Sequence, residues 1–330
     1  MAQGWIRSLT ILVLALMVGS SYSNAQSAGA VGTDLFHGFG GVHSLLLPIH
    51  KSSKEAPATS PSTPGAVELG LAKQKVYNFT TVDYPGADGS IASDSNSGIV
   101  VGDFLTPEGR SGLVFSKNSY HPFGFGSPST AINGINSSSQ VVGDYEEAPK
   151  VLFGFMYDGS AVTTIAPPGA ISSSAADLSD SGVIVGVYTD SSHTIHGFVD
   201  TNGAYTVIDY PGATSTSVAG INASGTMVGT YTDSANKQHG FQFAHSHFVT
   251  IDFPMAEHTF VEGINDAGAI AGTYYDVNYA IHGFTYIHGT FSQVDVAIAL
   301  GTVLLRIKNN GNVVGYYADH NSESHGIIGK

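Results

Sequence analysis

Short runs of apolar residues alternate along most of the chain with clusters of Gly, Pro, Asn and Ser. In residues 204–246 the segments "AYTVIDYPG", "STSVAGIN", "TMVGTYT" and "HGFQFAH" are rich in β-branched and aromatic residues. The intervening "NASG" predicts a tight turn in which Gly225 takes the left-handed conformation. The pattern therefore predicts four short antiparallel strands within these 43 residues.

The same pattern returns at a nearly constant period. The glycine of a Val-Gly or Ala-Gly pair occurs at Gly102, Gly143, Gly186, Gly229, Gly272 and Gly315, in steps of 41, 43, 43, 43 and 43 residues. A second glycine, usually followed by Phe, occurs at Gly112, Gly154, Gly197, Gly240, Gly283 and Gly326. Four strands in such a repeat are typical of a β-propeller blade, whereas the coils of a β-solenoid, the alternative, are usually shorter.

The two ends of the repeat array predict that the ring is closed. The last repeat stops at "HGIIGK" without a strand of the "TVIDYPG" type, while "YNFTTVDYPGA" at 77–87 supplies one such strand ahead of the first repeat. Pairing these ends would hide two exposed sheet edges. We therefore predict an all-β, six-bladed propeller over 77–330, with four antiparallel strands per blade and the N-terminal strand 77–85 completing the last blade.

The motifs themselves resemble a known family. The pattern I-N-x-x-G-x-x-V-G-x-Y, followed by H-G-F and I-D-x-P-G, is similar to the HAF-type extracellular repeat of bacterial secreted proteins, and Ile221–Phe241 and Ile264–Phe284 match it best. This chain has His-Gly-Phe where the family name implies His-Ala-Phe. The resemblance implies an extracellular β-rich array, and it supplies no catalytic residues.

The first 75 residues differ from the repeats. Arg7, the apolar run 8–18 and the small residues before Gln26 predict a secretory signal peptide at 1–25, and the Ser-, Pro- and Ala-rich segment 26–75 predicts a flexible linker. The expected location is therefore extracellular or periplasmic. The chain has no cysteine, so disulfides do not contribute to its stability.

Charge excludes some partners. The chain has 26 acidic and 12 basic residues, a formal net charge of −14, which disfavours binding to nucleic acid or anionic membranes. No segment after the signal peptide is apolar enough to span a bilayer. We expect a monomer without a cofactor or a bound metal ion.

One polar pair recurs in four repeats. Asp and His lie six residues apart at Asp190/His196, Asp233/His239, Asp276/His282 and Asp319/His325. Four equivalent copies favour a structural role, in which each pair locks a hairpin. The alternatives are a metal ligand set or a catalytic base held by its carboxylate.

The most informative positions are those where the repeats disagree. Arg306 and Lys308 replace residues of the Gly-Ile-Asn motif, Asp177 replaces its glycine, and Glu262 precedes the equivalent glycine by one residue. If these strands surround the central channel, the four residues are candidates for ligand binding, and Arg306 could hold a carboxylate of a sugar acid or a peptide terminus. The alternative is that Arg306 neutralises a nearby aspartate.

Motifs of common enzyme classes are missing, including G-x-S-x-G, H-E-x-x-H and the P-loop. We therefore predict a secreted binding or scaffold module that recognises an extracellular protein or glycan. The alternative is a polysaccharide hydrolase or lyase, which should gather Arg306, Asp177 and a histidine at one channel mouth.

Overall fold

The computed structural model describes residues 75–330, which contain 24 β-strands and no helix. The predicted signal peptide, and the predicted linker up to residue 74, lie outside the described residues. A short strand, β1 (Phe79–Thr81), comes before five complete blades of four strands each. Four of these blades are separate sheets, and the fifth is joined to the sixth by one parallel pair, Ile281 and Gly301.

Each of these five blades follows chain order from its inner strand, beside the axis, to its outer strand. They are β2 (Gly89–Asn96), β3 (Ile99–Thr106), β4 (Gly109–Ser116) and β5 (Ser119–Phe123); β6 (Thr130–Ile135), β7 (Val141–Ala148), β8 (Val151–Tyr157) and β9 (Val162–Ile165); β10 (Ala170–Leu178), β11 (Ile184–Asp190), β12 (Ile195–Thr201) and β13 (Ala204–Ile208); β14 (Ser215–Ile221), β15 (Met227–Thr232), β16 (Gln238–Ala244) and β17 (His247–Ile251); and β18 (His258–Ile264), β19 (Ile270–Tyr275), β20 (Ile281–Ile287) and β21 (Thr290–Val294).

The sixth blade closes the ring. It contains β22 (Gly301–Ile307), β23 (Val313–Ala318) and β24 (Ser324–Gly329), and its outer strand is β1. Thr80 pairs with Ile328 in antiparallel register, and Asn78 and Lys330 exchange two backbone hydrogen bonds of 3.1 Å. The predicted fold, a six-bladed propeller closed by its N-terminal strand, is confirmed. The paired strand is shorter than 77–85 because the chain turns towards β2 after Val82.

The two glycines of each repeat have steric causes. Every inner strand has a β-bulge, as between Val218 and Gly220, and a Cβ on Gly229 would overlap the carbonyl oxygen of Ser217 beside it. A Cβ on Gly240 would overlap the side chain of Val261 in the next blade. The first glycine therefore permits the bulge, and the second permits adjacent blades to pack closely.

Aromatic side chains fill the space between blades. Phe155, Phe198, Phe241 and Phe284 are fully buried at equivalent positions of four blades. Tyr210, in the link that leads to the fourth blade, stacks on Tyr231 of that blade with ring centroids 3.6 Å apart. These contacts extend the hydrophobic core around the ring, since each blade buries side chains against its neighbour.

The I-N motif joins the blades at one end of the ring. The Asn222 side-chain oxygen accepts hydrogen bonds from Ser224 N (3.1 Å) and Thr226 N (3.0 Å), while its amide donates to the carbonyl oxygen of Asn265 in the next blade (3.2 Å). Asn265 donates in the same way to Lys308 (3.1 Å). We call this end, which carries the turns between inner and second strands, the lower face. The upper face carries the hairpins between second and third strands and the links between blades.

Candidate functional site

The inner strands bring unequal residues to the axis. The residue that follows each bulge is Asp94, Gly134, Asp177, Gly220, Gly263 or Arg306, in blade order. Since the backbone geometry repeats and the side chains do not, this level of the channel differs from blade to blade.

Arg306 occupies the axis and is 3% exposed. Its guanidinium donates hydrogen bonds to backbone carbonyl oxygens of four inner strands, those of Ala176 (2.7 Å), Glu262 (2.8 Å), Leu305 (2.9 Å) and Asn133 (3.3 Å). Its Nε lies 3.9 Å from Asp177 Oδ2. The side chain therefore joins four blades through their backbones. Buried carbonyl oxygens need hydrogen-bond donors, and the guanidinium supplies one to each of these four.

Two aspartates flank this arginine and are also bound by the protein. Asp177 accepts hydrogen bonds from the backbone N–H groups of Leu178 (2.9 Å) and Ile221 (3.1 Å), and burial raises its pKa although the charge of Arg306 opposes the shift. Asp94 accepts a hydrogen bond of 2.6 Å from Lys308 Nζ. Lys308 is thus paired on the lower side of the channel rather than extended into solvent.

Glu262 is the fourth predicted residue, and its carboxyl group is neutral at neutral pH. It is 1% exposed, and burial raises its pKa to about 8 against the opposing charge of Arg306. Burial also raises the pKa of Tyr275 to about 12, with a contribution from Glu262. The structure therefore brings Arg306, Asp177 and Glu262 together at the axis, with Glu262 close to Tyr275 of its own blade.

The four predicted Asp–His pairs lie far from the axis, on the outer half of their blades. In each pair His Nε2 faces the aspartate six residues earlier, at 3.5 Å for Asp190/His196, 3.4 Å for Asp233/His239, 3.9 Å for Asp276/His282 and 3.8 Å for Asp319/His325. The aspartate also caps its hairpin: Asp233 Oδ1 accepts hydrogen bonds from Ala235 N and Lys237 N. No histidine of these four joins Arg306 and Asp177.

A second, closer aspartate binds each histidine and was not predicted as its partner. His Nδ1 lies 2.7 to 2.9 Å from a carboxylate just beyond the outer strand, in the pairs His196/Asp209, His239/Asp252, His282/Asp295 and His325/Asp83. Each imidazole also stacks on a tyrosine of the second strand, as His239 does on Tyr231 at 5.0 Å. We call this unit of two aspartates, a histidine and a tyrosine the Asp–His–Asp clasp.

The sequence contains a signal for this second aspartate. The two blades without the histidine, which have Ser111 and Phe153 instead, also lack the aspartate and have Gly124 and Ala166 there. The joint presence of both residues in the same four repeats indicates that they contact each other.

The upper face of the fifth blade carries an aromatic cluster. The cluster contains His258 and Phe260 on β18, Tyr275 on β19 and Tyr279 in the following hairpin. Ring centroids are 5.4, 5.8 and 5.9 Å apart along the path Phe260–Tyr275–His258–Tyr279, and those of His258 and Phe260 are 6.4 Å apart. Phe260, Tyr275 and His258 are half-buried, and Tyr279 is 63% exposed. We call these four residues the aromatic rim.

The aromatic rim has no counterpart in the other blades. The positions equivalent to Phe260 carry Ile91, Ala131, Ser174, Ser217 and Val303. The positions equivalent to Tyr275 carry Leu105, Glu146, Thr189, Thr232 and Ala318. The fifth blade therefore differs from the other five in its aromatic side chains on the upper face. Of the candidate residues predicted from the sequence, only Glu262 lies in this blade's inner strand.

Two exposed residues, Met255 beside the rim and Tyr279 within it, have unfavourable backbone conformations. Met255 has φ +63° and is 89% exposed, where three other links have Gly86, Gly169 and Gly212 at φ +81° to +85°. Tyr279 has φ +62°. A bulky residue in the left-handed region costs free energy, so such residues on a surface are candidates for function.

A shallow pocket of about 250 Å³ lies at the junction of the sixth and first blades, lined by residues that include Asp83, Tyr84, Glu323 and His325. Near it, Asp319, Glu323 and His325 place possible ligand atoms within 4.8 Å of one another. Glu323 is exposed. Asp319 and His325 of this group belong to the clasp of the sixth blade.

No model of a protein family matches the chain, and no curated protein matches its sequence. Solved structures do match its fold. TolB from Acinetobacter baumannii is 10% identical, with a TM-score of 0.52 over 71% of this chain and 64% of that chain. A fungal lectin from Aleuria aurantia, described as a six-bladed β-propeller with a novel mode of fucose recognition, is 14% identical with a TM-score of 0.44 over 71% and 88%. Virginiamycin B lyase from Staphylococcus aureus is 9% identical with a TM-score of 0.48 over 76% and 99%.

At these identities the comparisons bear on architecture alone, and the match to TolB agrees with the propeller seen in residues 75–330. Within those residues there is no helix with the length and apolar character needed to cross a membrane.

Proposed function

We propose that this protein is a secreted carbohydrate-binding propeller and that the aromatic rim is its binding site. The observation that carries the proposal is the concentration of His258, Phe260, Tyr275 and Tyr279 on the upper face of a single blade. The predicted signal peptide and the resemblance to the HAF-type repeat support an extracellular setting.

Aromatic rings suit a sugar because they offer an apolar face and, in tyrosine and histidine, a polar edge. The C–H face of a pyranose packs against a ring, while its hydroxyl groups form hydrogen bonds with polar atoms at the periphery. Tyr279 supplies an accessible ring, and Phe260 and Tyr275 extend the surface towards the axis. An exposed tyrosine kept at positive φ is consistent with selection for contact with a ligand.

Glycan-array binding with the full chain tests this proposal, followed by titration calorimetry on the best glycan. Tyr279→Asn removes the exposed ring and keeps a residue that tolerates positive φ, as Asn236 does at the equivalent place of the fourth blade (φ +64°). We expect affinity to fall about tenfold or more, since stacking aromatics dominate such contacts. The matched variant Asn236→Tyr adds an exposed tyrosine without a cluster and should leave affinity unchanged.

Unchanged affinity in Tyr279→Asn, or an array without any specific glycan, would contradict the proposal. Cleavage of a bound glycan would favour the alternative of a hydrolase or lyase instead. In that case Glu262→Gln should abolish turnover, because Glu262 has a raised pKa and acts electrostatically on Tyr275 of the rim.

A further inference from the structure

The two faces of the ring differ greatly in charge. The hairpins and links of the upper face carry fourteen carboxylates, Asp83, Asp88, Glu108, Glu146, Glu147, Asp190, Asp209, Asp233, Asp252, Glu257, Asp276, Asp295, Asp319 and Glu323. They carry two lysines, Lys150 and Lys237. None of the fourteen carboxylates is buried.

The lower face is balanced by comparison. Its turns carry the carboxylates Asp158, Asp180 and Asp266, and Asp200 lies near the end of β12. Its turns and chain ends carry four lysines, Lys75, Lys117, Lys308 and Lys330, of which Lys308 pairs with Asp94. The excess negative charge of the described residues is therefore concentrated on the face that carries the aromatic rim.

Cations beside this face are already bound by the protein. Arg110 forms hydrogen bonds of 2.8 and 2.9 Å with Asp103 and lies 3.7 Å from Asp144, and the guanidinium of Arg306 is held by backbone carbonyls. Lys237 donates to the carbonyl oxygen of Ala256 at 3.1 Å. Lys237 keeps its charge beside the rim, because a carbonyl oxygen does not neutralise an ammonium group. The fourteen carboxylates of this face outnumber its two lysines, so a ligand carboxylate or sulfate would still meet net repulsion.

The rim itself lies next to acidic groups. Glu257 precedes His258, and its backbone N–H donates to the carbonyl oxygen of Tyr275 at 2.9 Å. Asp276 follows Tyr275 directly. Burial lowers the pKa of His258, so this imidazole is uncharged at neutral pH and does not offset these carboxylates.

We propose that the ligand of the aromatic rim is a cationic amino sugar, a glycan with free ammonium groups. This inference rests on the proposed carbohydrate-binding function. The rings hold the pyranose faces, and the carboxylates of the upper face attract the ammonium groups and orient the glycan before contact. Glu257 acts electrostatically on His258, and Asp276 caps the hairpin that carries Tyr279 by accepting hydrogen bonds from Asn278 N and Ala280 N, both of 2.8 Å. The attraction of such carboxylates for a cation weakens over a screening length of about 8 Å at physiological salt.

The test uses two probes with one backbone. Chitosan oligosaccharides carry free amines, and the N-acetylated oligosaccharides of the same length carry none. Titration calorimetry with the full chain at mildly acidic pH keeps the amines protonated while exposed carboxylates remain ionised. We expect the amine form to bind about tenfold more tightly at about 0.02 M salt and most of this preference to vanish at about 0.5 M salt.

Two variants locate the effect. Glu257→Gln should reduce the preference for the amine form severalfold, whereas Asp158→Asn on the lower face should leave it unchanged. Equal affinity for both probes at low salt would overturn the inference while leaving the proposed function in place. Tight binding of spermine, a polyamine without sugar rings, at the affinity of chitosan would overturn it too. Failure of every array glycan to bind would reject the proposed function itself.

Discussion

His239 Nδ1 lies 2.7 Å from Asp252 Oδ2, although the two residues are thirteen positions apart in the chain. His239 is on the third strand of its blade, and Asp252 directly follows the outer strand. Their contact ties the outer edge of the blade to its interior, and the stacked Tyr231 fixes the plane of the imidazole. The same clasp in four blades makes it a structural unit of the ring.

The clasp should stabilise each blade modestly. Asp252→Ala removes the nearest partner of His239, and we expect the free energy of unfolding to fall by about 1 kcal/mol, since the pair is partly exposed. Chemical denaturation followed by fluorescence measures this. The double variant His239→Phe/Asp252→Ala copies the second blade, which has Phe153 and Ala166 there. The double variant should recover part of the stability that Asp252→Ala loses. A loss in the double variant that exceeds the sum of the losses in His239→Phe and Asp252→Ala would contradict the clasp.

Ring closure depends on the strand that precedes the blades. Thr80 lies opposite Ile328, between the bonded positions Asn78 and Val82, so Thr80→Pro removes a donor from the closing pair. We expect a loss of about 3 kcal/mol or more and aggregation through the exposed edge of β24. Thr81→Pro is the matched control, because its N–H points away from β24. Light scattering and thermal unfolding should separate the two variants, and equal behaviour would argue against closure by β1.

Arg306 should be essential for stability because it is buried and bound to four strands. Arg306→Met leaves the carbonyl oxygens of Ala176 and Glu262 without their donor and Asp177 without its nearest cation. We expect a loss of about 3 to 5 kcal/mol in urea denaturation. Lys117→Met, which removes an exposed cation from a turn on the lower face, should cost much less. An Arg306→Met protein as stable as the parent would refute the structural role.

Stability should depend on pH through Glu262. Its pKa is about 8 in the folded chain against 4.5 as its ordinary value, so folding retains a proton that the unfolded chain releases. Between about pH 4.5 and 8 unfolding therefore releases a proton, and the free energy of unfolding falls as pH rises, by at most about 1.4 kcal/mol per pH unit. Glu262→Gln cannot titrate, so its stability relative to the parent should increase across this window and level off above it. A difference that does not vary with pH would contradict a buried neutral carboxyl group.

Much of the fold was predictable because its causes are local or periodic. Gly229 and Gly240 mark positions where a side chain would collide with a backbone carbonyl or with Val261, and such steric demands recur in every blade. The closing role of β1 followed from the missing outer strand of the last repeat. Gly225 has the left-handed conformation expected from its turn, at φ +80°.

The candidate site was predictable only in part. Arg306, Asp177 and Glu262 stood out because they break the repeat, and the structure brings them together at the axis. The aromatic rim was missed, although Phe260 and Tyr275 are the aromatic residues of their aligned columns. The inner and second strands bring these two columns face to face, and spacing along the chain does not reveal that contact.

By itself the sequence determined the number of blades, the order of strands and the closure of the ring, because the 43-residue period and its glycines are encoded residue by residue. Only the tertiary structure decided where the unequal residues point. The bulge in β22 directs the Arg306 side chain towards backbone carbonyls of other blades. The pairing of strands within the fourth blade places His239 beside Asp252 as well as Asp233. These outcomes depend on burial and on distances between strands far apart in the chain, which only the closed ring defines.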